Sequence, residues 1–333
     1  MISIKDIAKL AGVSVSTVSR VLNHQDNVKA DKRERILSAI KQTGYVPNRA
    51  ARDMVSKHTS TVGIVMPGMF NMFQRQLFSI VEHHLEQFGY HTSFYFASTD
   101  EEGELACLKR LKADRLDGII ILHEVALPEF QHYLEENKIP TVLATFERDG
   151  WKATSIHISE DEAALQAVSY LIKLGHRDIA CIGGTKYSFS SQRLEGYRKA
   201  LEQAGIPYDA SKVAFADVYN MEGGAKALGR LLDSNTTFTA LFAITDELAL
   251  GSIRGLADHN LSVPGDVSVV GFDNIELSSF SVPRLTTICQ PLVEMGQMAV
   301  ALLHSLITSK NGLPVSIALP FTFVQRDSTA QRK

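Results

Sequence analysis

Residues 4–23, IKDIAKLAGVSVSTVSRVLN, and residues 34–52, ERILSAIKQTGYVPNRAAR, decide how this chain begins to fold. Ser3 precedes Asp6 by three residues, the spacing of a capping box, and Ile4, Ile7, Ala8 and Ala11 recur at the helical period. A first helix is therefore expected, broken by Gly12. Ser14 can cap a second helix whose Val18, Val21 and Leu22 face inward, leaving Val15, Ser16, Thr17, Ser19 and Arg20 on the other side. A third helix, about Asp31 to Thr43, carries Ile36, Leu37 and Ile40 inward and stops at Gly44. Two short helices joined by a tight Gly-containing turn make a helix-turn-helix, whose second helix can lie in the DNA major groove. Small side chains at Val15, Ser16 and Thr17 permit close approach. Arg20 can bond guanine through two N–H groups, while Ser3, Thr17, Ser19 and Asn23 suit phosphate oxygens.

Charge supports a polyanion-binding head. Residues 1–58 hold eleven Lys/Arg against five acids, a net of +6, within a chain of 333 residues whose formal charge is −3. The remainder is acidic, so a basic module is joined to a separate body. Apolar residues at 45% and charged ones at 21% are ordinary globular values, which argues against disorder, collagen or a disulfide scaffold. No uncharged apolar run of about 18 residues occurs, and the charged start MISIKDIAKL does not read as a signal peptide. A cytosolic protein with no membrane partner is expected. Cys107, Cys181 and Cys289 lie far apart without a CxxC, and are expected to be buried apolar fillers rather than a disulfide or zinc set.

From about residue 60, strand-like runs alternate with helical patterns: 61–67, 92–98, 118–122, 141–145, then 179–184, 213–217, 240–245 and 267–273. This alternation predicts parallel sheets covered by helices on both faces. Eight strands in two groups of four suggest two similar α/β lobes. Residues 153–162 would make a first crossing between them, a strand near 286–290 would cross back, and one near 321–326 would finish the second lobe. Open parallel sheets bind ligands beyond the carboxyl ends of their strands, so two facing lobes enclose a cleft that can close by a hinge.

The two quoted stretches resemble, nearly position by position, the DNA-binding head of the lactose-repressor (LacI) family. The resemblance continues through SYLIKLGHRDIACIGG (169–184), SSQRLEGYRKAL (190–201), FAITDELALG (242–251), VPGDVSVVGFDN (263–274) and PRLTTICQP (283–291), to about Arg326. It implies an all-α helix-turn-helix head plus an α/β body of two doubly wound parallel-sheet lobes, similar to type I periplasmic binding proteins. The implied division is 1–46 for the head and 47–58 for a hinge helix and linker. The N-terminal effector subdomain then takes 59–160 plus 291–320, and the C-terminal one 161–290 plus 321–328. Base reading falls to Val15, Ser16 and Arg20, and phosphate contacts to Ser3, Thr17, Ser19, Asn23, Asn27 and Tyr45. In the hinge, Asn48 to Val55, the DNA contacts are Asn48, Ala51 and Met54. Met54 stands where the family usually has leucine as the wedge between base steps. Lys29 stands where a capping serine is frequent, and Asp31 offsets this through the helix dipole. Eight hinge residues are too few for an isolated helix in water, so the hinge should order on DNA.

Loop position and family pattern together nominate the ligand contacts. Arg193 and Asp273 can hold vicinal hydroxyls with a planar donor fork and a carboxylate; the competing reading is a plain ion pair. Asp246 is a contact or the cap of the next helix, and Thr245 stands where relatives often have Asn. Phe73, Phe146, Phe189 and Tyr219 can stack on a sugar ring or pack in the core, Val218 competes with Tyr219, and Asn71 is a polar contact from the first lobe. No GxGxxG after a strand, GxxxxGK[ST], HExxH or GxSxG occurs, so no enzyme, cofactor or metal is expected. The expected function is a homodimeric repressor that binds palindromic double-stranded operator DNA under control of a small-molecule effector, a sugar or sugar derivative. Only seven residues follow Arg326, so a tetramerising tail is not expected. Two alternatives stand open: a catabolite-control-type regulator with a phosphorylated carrier protein as corepressor, and, from another class, a cytosolic sugar-binding or sugar-modifying protein.

Overall fold

The computed structural model describes residues 2–22, 28–45, 59–68, 71–98, 100–148, 150–234, 236–309 and 313–332. The chain forms two units, residues 1–59 and 60–333. In the first, the Ser3 amide and hydroxyl both donate to Asp6 Oδ2, at 2.9 and 2.7 Å, and start α1 (Ile4–Ala11). Gly12 ends it at φ +63°, a left-handed conformation that glycine adopts without a Cβ penalty. Helix α2 (Val15–Leu22) follows Ser14, whose Oγ accepts the Thr17 N–H at 3.3 Å. Helix α3 (Ala30–Thr43) ends at Gly44. Ile7, Ala8, Ala11, Val18, Val21, Ile36, Ala39 and Tyr45 form one buried cluster. Leu37, expected inside, is exposed. The buried stripe runs through Ile36, Ala39 and Ile40, at i, i+3 and i+4, and Leu37 lies one step round the helix. The hinge expected at 48–55 lies outside the described residues.

The second unit has two six-stranded sheets. Strands β1 (Thr61–Pro67), β2 (His91–Ala97), β3 (Gly118–Ile121), β4 (Thr141–Ala144), β5 (Thr154–His157) and β11 (Ser316–Ala318) form the first, in the order β11-β5-β4-β3-β1-β2 and all parallel. The second contains β6 (Ile179–Gly183), β7 (Val213–Phe215), β8 (Ala240–Ala243), β9 (Ser268–Asp273), β10 (Thr286–Cys289) and β12 (Thr322–Val324). Its order is β12-β10-β9-β8-β6-β7, with only β12 antiparallel. The central strands β3, β4, β6, β8 and β9 are buried at every position, as parallel strands covered on both faces must be.

Helices α4 (Met72–Gln87), α5 (Glu101–Ala113), α6 (Pro128–Glu136) and α12 (Leu292–Thr308) belong with the first sheet. With the second go α7 (Glu160–Lys173), α8 (Ser188–Gln203), α9 (Met221–Asp233), α10 (Asp246–Asp258) and the short α11 (Glu276–Phe280). A Cβ on Gly196 of α8 would meet the Asp161 carbonyl oxygen of α7 at 2.2 Å, so these helices pack this closely only over a glycine.

Three sequence expectations change here. Residues 153–162 are not merely a crossing, because β5 is a fifth parallel strand and the chain leaves the first lobe only after His157. Strand β10 stays in the second sheet, parallel to β9, and the chain crosses back after it, into α12, which packs on α4 and the first sheet. Cys107 and Cys181 are buried fillers, but Cys289 is only half-buried, with the Asn274 amide donating to its Sγ at 3.2 Å.

Candidate functional site

On the head, α2 buries Val18 and Val21 and thereby turns Val15, Ser16 and Arg20 outward, all three exposed; Thr17 and Ser19 are half-buried at the flank. Ser14 Oγ lies 2.8 Å from both Ser16 Oγ and Thr17 Oγ1, so a hydroxyl network fixes the helix start. The Ser3 hydroxyl is exposed beside Asp6, and the Tyr45 ring belongs to the head's core. Asn23, Asn27, Asn48, Ala51 and Met54 lie outside the described residues.

In the body, a cavity of about 440 Å³ opens between the two sheets. Its walls are the carboxyl ends of strands, where an open parallel sheet leaves room for a ligand. Gly68 follows β1, Ser98 follows β2, His123 and Glu124 follow β3, Thr145 and Phe146 follow β4. The second lobe brings Tyr187 and Phe189 after β6, and Asp217, Val218 and Tyr219 after β7. Thr145 holds φ +87° there, a costly conformation for a β-branched residue.

Tyr187, Phe189 and Tyr219 form an aromatic wall. Tyr187 and Phe189 stack at 5.4 Å and 14°, and Tyr219 lies 5.3 Å from Tyr187. The Tyr219 hydroxyl is held by Ser190 Oγ at 2.8 Å and by the Lys186 N–H at 3.2 Å. Of the expected contacts, Asn71, Phe146, Phe189 and Tyr219 line this cavity, with Val218 beside Tyr219. Asn71 also caps α4, accepting the Gln74 N–H at 2.8 Å.

The other expected contacts lie behind the lining. Phe73 is buried on α4 and does not line the cavity. Arg193 is 3% exposed and already engaged: Nε donates to Glu160 at 2.7 Å, Nη1 to Asp273 at 3.3 Å and to the Ile244 carbonyl. Its guanidinium lies 3.6 Å from the Phe272 ring centre and 4.7 Å from that of Phe189. Burial pushes Asp273 well above the usual carboxylate range and raises Glu160, both opposed by Arg193. The pair expected on a ligand's hydroxyls thus forms a buried ion network in this structure. Thr245, not Asp246, caps α10, its Oγ1 accepting the Leu248 N–H. Asp246 is fully buried and accepts from the Ile275 N–H and the Ser278 and Thr287 hydroxyls, tying α10 to β10 and to the turn after β9.

Two carboxylates that the sequence reading passed over cross the cleft. Glu124, after β3 of the first lobe, accepts the Ser188 N–H at 2.9 Å and the Ser188 hydroxyl, at the start of α8 in the second. Glu247, on α10 of the second lobe, accepts the Met72 N–H at 3.1 Å, at the start of α4 in the first. Each anion sits on the unpaired N–H groups at the start of a helix of the opposite lobe. Burial raises Glu247, against the Met72 bond. His123 is 4% exposed, and among the described residues its Nε2 has no hydrogen-bond partner; burial pushes its pKa down to about 4, so it is neutral at pH 7. The only signal for these three was their place just past a strand or at a helix start.

Among the described residues no three His, Cys, Asp or Glu side chains gather to hold a metal, and no helix is long and apolar enough to cross a membrane. Residues 3–48 match the family of bacterial regulatory proteins, lacI family, and residues 168–329 the periplasmic binding protein-like domain. Catabolite control protein A of Priestia megaterium is 34% identical, across 98% of this chain and 99% of that protein. The HTH-type transcriptional repressor CytR of Escherichia coli (strain K12) is 34% identical, across 90% of this chain and 88% of its own. Among solved structures, the lac repressor dimer bound to operator and the anti-inducer ONPF has a TM-score of 0.89 at 27% identity, covering 99% of each chain. The transcriptional regulator CelR–cellobiose complex has a TM-score of 0.75 at 30% identity, covering 98% of this chain and all of that one. Identity sustained along the whole chain, on a helix-turn-helix head and a two-lobed body, makes this protein a member of the lacI family of bacterial transcriptional regulators.

Proposed function

We propose that the chain acts in the cytoplasm as a homodimeric repressor, each head reading half of a pseudopalindromic operator and each body sensing a sugar or sugar derivative in its inter-lobe cavity. The proposed division of labour is 1–46 for DNA, 47–58 for the hinge, and 59–160 plus 291–320 with 161–290 plus 321–328 for the two effector subdomains. The observation that carries this reading is the exposed Val15–Ser16–Arg20 face on a buried Val18–Val21 stripe, present in one chain with an aromatic-walled cavity. Side chains of that size and type suit base edges, and stacked aromatic rings suit the apolar face of a sugar. Dimerisation is supported by large apolar side chains left exposed on the body, Phe280 at 74% and Val282 at 92%. Regulation, rather than catalysis, is the role carried by its relatives.

Binding to the DNA upstream of its own gene, titrated at several salt concentrations against competitor, tests this. One preferred fragment should survive competitor that removes the rest. Equal affinity for every duplex would overturn the reading. The whole-length identity to catabolite control protein A favours a second reading, in which a phosphorylated carrier protein is the corepressor. Capture of the carrier only in its phosphorylated form would decide for it.

A further inference from the structure

The hydroxyl groups at the start of α2 are not independent of one another. Ser14 Oγ lies 2.8 Å from Ser16 Oγ and 2.8 Å from Thr17 Oγ1, and each of these contacts takes a proton from one of its two oxygens. A hydroxyl owns a single proton, so three hydroxyls joined by two hydrogen bonds have one proton left for anything outside the helix. The Thr17 N–H does not alter this count, being a donor shared between the Ser14 carbonyl at 2.9 Å and Ser14 Oγ at 3.3 Å. Which oxygen keeps the free proton decides what Ser16 can read. If Ser16 keeps it, Ser16 can donate to a base; if Ser14 or Thr17 keeps it, Ser16 has donated inward and has only lone pairs to offer.

DNA settles the competition through its phosphates, which accept and never donate. A helix in the major groove has phosphates along both flanks, and Thr17 is half-buried at the flank of α2 while Ser16 is exposed on its outer face. A hydrogen bond to an anion is roughly twice as strong as one to a neutral base edge, so the one free proton goes to phosphate. We infer that Ser14 sets the hydrogen-bonding sense of Ser16: Ser16 gives its proton to Ser14 Oγ and meets the operator as an acceptor, so its partner is an amine, adenine N6 or cytosine N4, and not the guanine O6 or thymine O4 carbonyl. Ser14 touches no base and acts as a positioning residue. The assignment complements the rest of the face, because Arg20 can only donate and Val15 is apolar. This inference rests on the operator-reading head proposed above.

The test uses the full-length protein. Selection from duplexes randomised across the half-site, with wild type and with Ser16→Ala, locates the base pair that Ser16 reads as the position whose preference relaxes. At that pair, deleting the amine, with purine for adenine or pyrimidin-2-one for cytosine, should weaken wild type about threefold to tenfold, the size of one neutral hydrogen bond, and leave Ser16→Ala unmoved. Deleting the carbonyl, with 5-methylpyrimidin-2-one for thymine or 2-aminopurine for guanine, should move the two proteins alike. A transition at the same position puts a carbonyl where the amine stood, and wild type should reject it by about tenfold. Ser14→Gly keeps a tolerated N-cap but takes no proton, so Ser16 can turn its own proton outward and the penalty for the transition should shrink to within about twofold. Ser14→Asp accepts the Ser16 proton and should keep the penalty, while its charge lowers affinity for every duplex alike. Loss of the cap or of a phosphate contact would act on all sequences equally, so the contrast between these two variants isolates the direction of the proton. An amine deletion that costs wild type no more than Ser16→Ala, a carbonyl deletion that costs it more, no position relaxed by Ser16→Ala, or a Ser14→Gly that rejects the transition as firmly as wild type would overturn the inference and leave the operator reading standing. Failure of wild type to select any sequence would overturn the operator reading itself.

Discussion

Arg193 illustrates how burial changes the meaning of a residue. Its place in SSQRLEGY suggested a ligand contact, but Glu160 and Asp273 are both buried and both depend on its charge. Removing one partner of such a network strands the other ions without solvent, which costs about 3–5 kcal/mol. Arg193→Ala is therefore expected to lower the unfolding free energy by that amount, with a matching fall in the urea midpoint, and Arg193→Lys, which keeps charge but loses the fork, by less; urea titrations of the full chain check both. A midpoint for Arg193→Ala within error of wild type would return the residue to the ligand. His123 makes a prediction in pH. Its folded pKa, about 4, lies below the ordinary 6.5 that it regains on unfolding. Between these values the unfolded chain binds the proton and the folded one does not, so stability rises with pH through the window and is lost as pH falls from 6.5 towards 4. From pH 7 to pH 5 the His123 contribution should fall by about 2 kcal/mol, and His123→Phe should lose correspondingly less over the same interval. Buried His176 has the same sign, so the variant's curve should flatten without becoming level. Neither role was legible in one dimension: SSQRLEGY does not reveal that Glu160, 33 residues earlier, closes on the same guanidinium.

At the scale of elements, the sequence was most readable where a period repeats. The capping box at Ser3, the turn at Gly12 and the buried stripe of α2 all followed from spacing, because a short amphipathic helix has few ways to bury three side chains. Strands β5 and β11 escaped notice because TSIH and SIA carry no apolar run; they are strands through the partners they find, β4 for one and β5 for the other. The cleft and its closing by a hinge were foreseen, but not the contacts that hold it, since the two crossing carboxylates exist only when the lobes face each other. Arg20→Ala should cost about 1–3 kcal/mol of operator affinity and relax sequence preference at one base position, which competition between operator variants will measure. An unchanged preference with weaker binding would make Arg20 a phosphate contact. The Glu124 and Glu247 bridges each place a charge at a helix N-terminus, an interaction worth about 0.3–1 kcal/mol, and up to about 2 where partly buried. Glu124→Gln combined with Glu247→Gln should open the sugar-free body, seen as a larger radius of gyration by small-angle scattering. No change in radius would mean that packing alone holds the lobes together.

For the whole molecule, the question is how a cavity in the body can alter what the head grips. A ligand shifts an equilibrium only by its differential affinity for the two states, and the Glu124 and Glu247 bridges give the body a defined closed state against which an open one can be weighed. If the effector favours one lobe arrangement and the operator the other, their coupling must be reciprocal, typically about 1–3 kcal/mol. Calorimetry of the effector with and without saturating operator, beside operator titrations with and without saturating effector, should therefore give the same ratio of dissociation constants. Charge separates this coupling from electrostatics. Residues 1–58 hold an excess of six positive charges and the remainder an excess of nine negative ones. Operator affinity should fall steeply with salt through counterion release, whereas the affinity of an uncharged effector should stay nearly flat. The coupling ratio should then be almost independent of salt even as both operator constants move by orders of magnitude. A ratio that vanishes with rising salt would place the communication in long-range charge rather than in the arrangement of the lobes, and the closed state held by Glu124 and Glu247 would have no part in it.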